Sequence, residues 1–277
     1  MNFYQQITQK QLRGAHRGSR ALRPENTLAA FEAAVGHFDF IELDIQPARD
    51  GTLMILHDDT MERTTNIDTR SPRPRPHRIG DYDVPMLQAT DAGSWFARRD
   101  PFGTIAAGLV ESSDIVFEAI PTLSEVLALC HQHRMPLNIE IKDSPTADSE
   151  TLLIDLLKTL APYREASIPL LISSFNHRYL ARLHALDTTL DLAANVEHSH
   201  PSHLLHYLQD IGVIGYHVEA PLIESTPVAE LKAAGITCAA FTLNDPDEQA
   251  ACFERGFRAV FADMTNEVYW ELQRNSS

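Results

Sequence analysis

Residues 40–57 read Phe-Ile-Glu-Leu-Asp-Ile-Gln-Pro-Ala-Arg-Asp-Gly-Thr-Leu-Met-Ile-Leu-His. Two apolar runs, 40–46 and 53–57, flank the turn signal Asp50-Gly51. A parallel pairing would need a crossover of roughly a dozen residues or more, and the interval between the runs is too short for one. The second run is therefore expected to fold back antiparallel on the first, which brings His57 approximately opposite Asp44.

Outward from this hairpin, short runs rich in Ile, Val and Leu alternate with amphipathic helical stretches. Strand candidates span 12–16, 40–46, 53–57, 137–142, 170–175, 190–196, 213–218, 238–243 and 259–262. Helical patterns fall near 24–37, 149–161, 176–186, 202–209, 227–234 and 246–255. Thr122 and Glu125 form a capping box that opens a further helix, with Leu123, Val126, Leu127 and Cys130 on one face. Setting aside the return strand of the hairpin leaves eight parallel strands. The expected fold is α/β, a (β/α)8 TIM barrel with a β-hairpin at its second strand. An open doubly wound sheet is the alternative, but no GxGxxG follows an early strand. Residues 59–118 break the rhythm, and the alternating prolines of the tract 71–78 exclude a regular helix. This stretch is read as an insertion seated over one end of the barrel, within a single catalytic domain spanning 1–277.

The chain is 44% hydrophobic and 22% charged, the composition of a globular protein that can bury a core. Its 38 Asp and Glu against 23 Lys and Arg give a formal charge of −15. A surface of that sign repels polyanions, so no nucleic-acid partner and no stable membrane association are expected. A local pocket can carry the opposite sign, which leaves small anionic substrates open. Cys130, Cys238 and Cys252 are widely spaced and include no CxxC, which points to a reducing compartment rather than a disulfide framework or thiolate zinc site. No apolar run approaches the roughly 18–20 residues that span a bilayer, and residues 1–12 lack the apolar core of a signal peptide. A cytoplasmic location is expected.

Side chains two apart on a strand share a face, so Glu42 and Asp44 point together while Ile41, Leu43 and Ile45 face the helices. Two carboxylates inside a barrel repel each other and lose hydration unless a cation neutralises them. Ordinary salt bridges are the plainer reading. Glu140 and Lys142 repeat the pattern on another strand, at the end where barrels place their active sites. Three carboxylates from two strands make a hard, all-oxygen site suited to one divalent cation, Mg²⁺ or Ca²⁺. His16 and Arg17 follow the first strand, where an imidazole can transfer a proton and a guanidinium can hold a phosphate oxygen. His57 ends the hairpin and faces the same mouth. Two histidines converging on a metal-bound phosphate give a general acid and a general base. Either one alone reads as easily as a structural histidine. Of the thirteen histidines, the cluster His198, His200, His203 and His206 lacks HExxH spacing, and it and the others are read as non-catalytic.

Taken together, these residues resemble the glycerophosphodiester phosphodiesterase family, within the wider phospholipase C-like phosphodiesterase group. The resemblance rests on Ala15-His-Arg-Gly18, Pro24-Glu-Asn-Thr27, Ile41-Glu-Leu-Asp44, Asp50-Gly51, His57-Asp58, Arg63-Thr-Thr65, Gly93-Ser-Trp-Phe96 and Pro121-Thr-Leu-Ser-Glu125. It continues through Asn138-Ile-Glu-Ile-Lys142, Ser174-Phe175, Phe241-Thr-Leu-Asn244 and Phe261-Ala-Asp263, and so covers nearly the whole chain. It implies hydrolysis of small glycerophosphodiesters to sn-glycerol 3-phosphate and an alcohol. Positions matching Glu42, Asp44 and Glu140 would hold a divalent metal. His16 and His57 would be the acid–base pair, and Arg17 and Lys142 would contact the phosphate. The wider group suggests that the glycerol 2-hydroxyl attacks first, giving a cyclic phosphate that water opens; direct attack by water is the other route. Phe241 stands where the family usually has Trp, and Ala262-Asp263 where Thr-Asp is common.

Three other functions are weighed against this one. A lysophospholipase D-like activity on lipid would need an exposed apolar rim, and the Arg98-Arg99-Asp100 that follows Trp95 and Phe96 argues for those aromatics being core. A non-catalytic phosphodiester-binding protein should have lost a histidine or a metal carboxylate, and none is missing. A generic metal-dependent isomerase or lyase leaves His57 and the hairpin without a role.

Overall fold

A computed structural model describes residues 1–144, 148–165 and 168–275. Nine strands form one sheet: β1 (Leu12–Ala15), β2 (Phe40–Pro47), β3 (Leu53–Ile55), β4 (Leu137–Ile141), β5 (Leu170–Ser174), β6 (Leu192–Val196), β7 (Gly215–Glu219), β8 (Thr237–Phe241) and β9 (Ala259–Ala262). Their order is β1-β9-β8-β7-β6-β5-β4-β2-β3, and a β1–β2 pairing closes the ring. Eight parallel strands thus make a closed barrel with helices between them, and β3 lies outside it, antiparallel on β2. This is the TIM barrel with a hairpin at strand 2 that the alternation predicts.

The hairpin differs from expectation by one residue. Ile45 pairs with Ile55, and the Leu56 amide donates to the Asp44 carbonyl at 3.1 Å. Leu56, not His57, therefore stands opposite Asp44. Ladder pairing ends at Ile55, and the chain turns out of the sheet there, which frees the His57 side chain to swing over the barrel mouth. At the other end of the hairpin, Gly51 takes φ +87°, a conformation that suits glycine.

The parallel register of β2 and β4 sets Asp44 beside Glu140 and Glu42 beside Asn138. All eight β2 residues are buried, as expected of a barrel strand covered by helices on its outer face. The outward set Ile41, Leu43, Ile45, Ile139 and Ile141 joins the main core with Leu123, Val126, Leu127 and Cys130 of the helix Leu123–His133. That helix opens with the predicted capping box: the Glu125 amide donates to Thr122 Oγ1, and Glu125 accepts from the Thr122 amide.

Other elements depart from the sequence pattern. A helix near 24–37 shortens to Leu28–Glu32, capped by Thr27, because residues 24–26 are drawn toward the barrel mouth and Asn26 adopts φ +58°. The helices Phe3–Gln6 and Asn266–Asn275 have no counterpart among the expectations. Phe3–Gln6 closes the N-terminal end of the barrel: Phe3, Tyr4 and Ile7 pack with Leu12, Phe40, Leu171, Ala193, Ala239, Ala259 and Phe261.

Residues 59–118 lie between β3 and Leu123–His133 and hold the short helices Ile67–Arg70, Val84–Gln88 and Trp95–Arg99. They pack around two small apolar clusters, one shared with Met54 and Leu56 of the hairpin, the other built on Trp95 and Phe96. Among the described residues, no helix is long and apolar enough to cross a membrane.

Candidate active site

The C-terminal ends of the strands surround a cavity of about 340 Å³. All seven residues singled out from the sequence line it: His16, Arg17, Glu42, Asp44, His57, Glu140 and Lys142. None of His198, His200, His203 and His206 does.

At the centre of this site is the carboxylate cluster. One oxygen each from Glu42, Asp44 and Glu140 lies within 4.8 Å of the others, and all three side chains are nearly inaccessible to solvent. Asn26 donates to Asp44 Oδ2 at 2.8 Å, the Arg17 amide to Glu42 Oε2 at 2.8 Å, and Asn195 to Glu140 Oε2 at 3.1 Å. Lys142 Nζ sits 2.7 Å from Glu140 Oε1 and 3.7 Å from Asp44 Oδ1, while Arg17 Nε is 3.5 Å from Asp44 Oδ2.

Two cations against three buried anions leave one negative charge uncompensated, which bears on the carboxyl pKa values. Burial, with Asp44 and Glu140 alongside, pushes the Glu42 carboxyl well above the usual carboxylate range. Burial and Asp44 likewise raise Glu140. Asp44 goes the other way: burial would raise it, but His57, Arg17, Lys142 and Asn26 bring it down to about 2. A hard divalent cation bound among these oxygens would supply the missing charge, and the donor set fits one.

The two histidines have matching supports. His16 Nδ1 lies 2.7 Å from Asp263 Oδ1, and Asp263 is fixed by Asn244, which donates to its Oδ2 at 2.8 Å and accepts from its backbone amide at 2.7 Å. His57 Nδ1 lies 2.7 Å from Asp58 Oδ1. No hydrogen bond among the described residues engages either Nε2. A carboxylate on Nδ1 favours the tautomer protonated there and leaves Nε2 free to take a proton. Burial and the neighbouring Arg17 lower the His16 pKa against the pull of Asp263.

The loop after β1 makes this possible. Arg17 adopts φ +56° and Gly18 φ +81°, and a Cβ at Gly18 would meet the Ala30 backbone at 2.7 Å. Only glycine allows so close an approach. The rest of the lining is mixed, with Asn138, Asn195, Glu197, His217 and Thr242 beside the apolar Phe175, Phe241 and Phe261. Phe175 packs edge-on against Phe241, with centroids 5.8 Å apart, and Lys142 Nζ lies 5.7 Å from the Phe175 ring centroid.

Sequence reasoning gave no role to Asp58, Asp263, Glu25, Asn26, Asn195 or His217. The first four stand in motifs quoted for the resemblance; Asp263 and Asn26 find their partners at other strands, whereas Asp58 bonds its neighbour His57 and nearby Arg63, and Glu25 bonds Arg17 and Arg20 of its own loop and Arg63. Asn195 and His217 line the cavity from β6 and β7. Their one sequence signal is strand alternation, with polar residues at inward positions.

Known proteins resemble this chain in sequence and fold over nearly its whole length. The model of the glycerophosphoryl diester phosphodiesterase family matches residues 16–267. A glycerophosphodiester phosphodiesterase of Bacillus altitudinis is 30% identical over 263 residues, covering 92% of this chain and 95% of that one. A phosphodiesterase of Oleispira antarctica, solved with the product sn-glycerol 3-phosphate, superposes with a TM-score of 0.79 at 28% identity, covering 99% of this chain and 100% of that one. A glycerophosphodiester phosphodiesterase structure from Agrobacterium tumefaciens shares the fold, with a TM-score of 0.68, 19% identity and coverage of 92% and 96%. A family match of this extent, on a barrel of the expected topology, means that the chain belongs to the glycerophosphoryl diester phosphodiesterase family, a family of hydrolases.

Proposed function

We propose that this protein hydrolyses small glycerophosphodiesters to sn-glycerol 3-phosphate and an alcohol, with His16 and His57 as the acid–base pair. One observation carries the reading: two histidines, each held through Nδ1 by an aspartate at 2.7 Å, face one cavity that also holds three carboxylates and two cations. The product named in the Oleispira antarctica structure supports the substrate class.

Glu42, Asp44 and Glu140 would hold one divalent cation, Mg²⁺ or Ca²⁺, which when bound supplies Lewis acidity and positive charge at the phosphate. Arg17 and Lys142 bind the phosphate oxygens, and with the cation they bring the formal charge of the site from −3 to +1, matched to a phosphodiester monoanion. One histidine takes the proton of the nucleophile, the glycerol 2-hydroxyl or water, through Nε2. The other delivers a proton to the leaving alcohol as its bond to phosphorus breaks and the new phosphorus–oxygen bond forms. Where the hydroxyl attacks, water then opens the cyclic phosphate to glycerol 3-phosphate with the roles of the two histidines exchanged. Phe175, Phe241 and Phe261 present an apolar wall to the glycerol carbons. The whole chain is read as one catalytic domain carrying the 59–118 insertion. Three free, buried cysteines support a reducing, cytoplasmic setting.

The test is release of glycerol 3-phosphate from glycerophosphocholine, glycerophosphoethanolamine and a lysophospholipid, before and after chelation. Turnover of the two soluble diesters, lost with the metal and restored by Mg²⁺ or Ca²⁺, is the expected result. Full activity after exhaustive chelation would overturn the metal assignment, and release from the lysolipid alone would overturn the substrate class.

A further inference from the structure

Pro24-Glu-Asn-Thr27 has no part in the chemistry described so far. Asn26 and Thr27 have local tasks, one on Asp44 and one as a helix cap. Glu25 has none of that kind. It is 5% exposed and touches neither the cavity nor the carboxylate cluster.

Its two oxygens instead receive three guanidinium groups. Glu25 Oε1 accepts from Arg17 Nη1 at 2.9 Å and from Arg63 Nη2 at 2.7 Å. Oε2 accepts from Arg20 Nη2 at 2.9 Å and from Arg63 Nη1 at 3.0 Å. Each arginine then reaches a different part of the site. Arg20 Nη1 lies 3.4 Å from Asp263 Oδ1, the oxygen that holds His16. Arg63 donates to Asp58 through Nε at 2.5 Å and Nη2 at 2.9 Å, and Asp58 holds His57. Arg17 stands against the carboxylate cluster.

We infer that Glu25 is a positioning residue that joins the His16–Asp263 and His57–Asp58 pairs into one unit through Arg20 and Arg63. The geometry is a continuous path, His16–Asp263–Arg20–Glu25–Arg63–Asp58–His57. Arg20 and Arg63 face Glu25, Asp58 and Asp263, which leaves one formal negative charge, and Arg17 is shared between Glu25 and the carboxylate cluster. Bidentate guanidinium–carboxylate pairs fix angle as well as distance, which is what two imidazoles on opposite sides of one phosphate need. Without the Glu25 charge, Arg20 and Arg63 have only Asp263 and Asp58 to turn to, and both imidazole supports change together. The inference rests on His16 and His57 being the acid–base pair.

The test uses the full chain labelled with ¹⁵N-histidine, with ring signals assigned by His16→Ala and His57→Ala. Glu25→Gln keeps the shape of the side chain and removes its charge. It is expected to move the ring nitrogen signals of both histidines and to lower kcat about 10- to 100-fold. Glu25→Asp should fall between that variant and the wild type. If Glu25→Gln folds, keeps kcat within about twofold or moves only one ring, the inference is wrong. If it does not fold, Arg63→Gln decides. A linked unit requires the His16 signals to respond to this change as well as those of His57, and a silent His16 overturns the link. Failure of the underlying reading would look different: His16→Ala or His57→Ala would retain turnover, whatever Glu25→Gln did.

Discussion

His16 and His217 sit in the same barrel, and burial lowers the pKa of both, yet their surroundings are opposite. At the mouth, His16 meets a carboxylate that is itself fixed by Asn244 and Arg20. Toward the floor, His217 Nε2 lies 2.6 Å from the Tyr4 hydroxyl, and its ring is 5.0 Å from that of Phe261. With no carboxylate beside it, His217 is pushed down to about 3 and stays neutral. The partner on the imidazole, and not its depth, separates the two rings, and the proposed proton exchange falls to the one held by a carboxylate.

The first way to break this contrast is to remove the imidazoles at the mouth. His16→Ala and His57→Ala should each lower kcat by about 10²- to 10⁴-fold with an unchanged circular dichroism spectrum. His217→Asn should affect turnover far less. Near-wild-type rates from either mouth variant would collapse the distinction.

The aspartates come next. Asp263→Asn and Asp58→Asn keep the shape but lose the charge that orients each ring, and a drop of about 10- to 100-fold in kcat is expected for each. A larger effect on KM than on kcat would place these residues in substrate binding instead.

The floor should show itself in acid. The folded-state pKa of His217, about 3, lies below the ordinary 6.5, so the unfolded chain takes up the proton first. The associated stability is complete above about pH 6.5 and declines as pH falls toward 3, by on the order of 4 kcal/mol. Urea midpoints measured down this range should fall steeply for the wild type and less so for His217→Asn. Parallel slopes would mean that another group governs the acid limb. The smallest effect expected is that of Tyr4→Phe, a loss of about 1 kcal/mol in urea denaturation with kcat preserved.

The mouth was more legible in the sequence than the floor. Glu42, Asp44, Glu140 and Lys142 betray themselves by breaking apolar strands at alternate positions, and a strand places them with no knowledge of its neighbours. Asp263 lacks such a signal because its partner His16 is brought close only by barrel closure, and Glu25 lacks one because its three arginines come from a loop and an insertion without periodicity. The floor depends on Phe3 and Tyr4 in a helix of four residues, too short to show any periodicity. The one-residue offset of His57 has a similar origin. Pairing arithmetic assumes that the ladder continues, and here it stops at Ile55. Asn26 also explains the shortened helix near residue 28, since its positive φ and its bond to Asp44 take the chain before Thr27 out of the helix.

The β1–β9 seam carries a consequence for the order in which a newly made chain gains activity. By residue 142, a ribosome has delivered the three carboxylates, the proposed histidine pair and the two cations proposed to bind phosphate. His16, however, finds its aspartate 247 residues downstream, and its backbone amide bonds to Ala262 of the final strand. Until that strand docks, the barrel is an open sheet and one imidazole has no support. Contacts this distant in sequence are among the slowest to form. Under the proposed roles, hydrolysis would switch on only once β9 has been made and has docked, so activity in a translation reaction would report barrel closure and not the mere presence of the site residues.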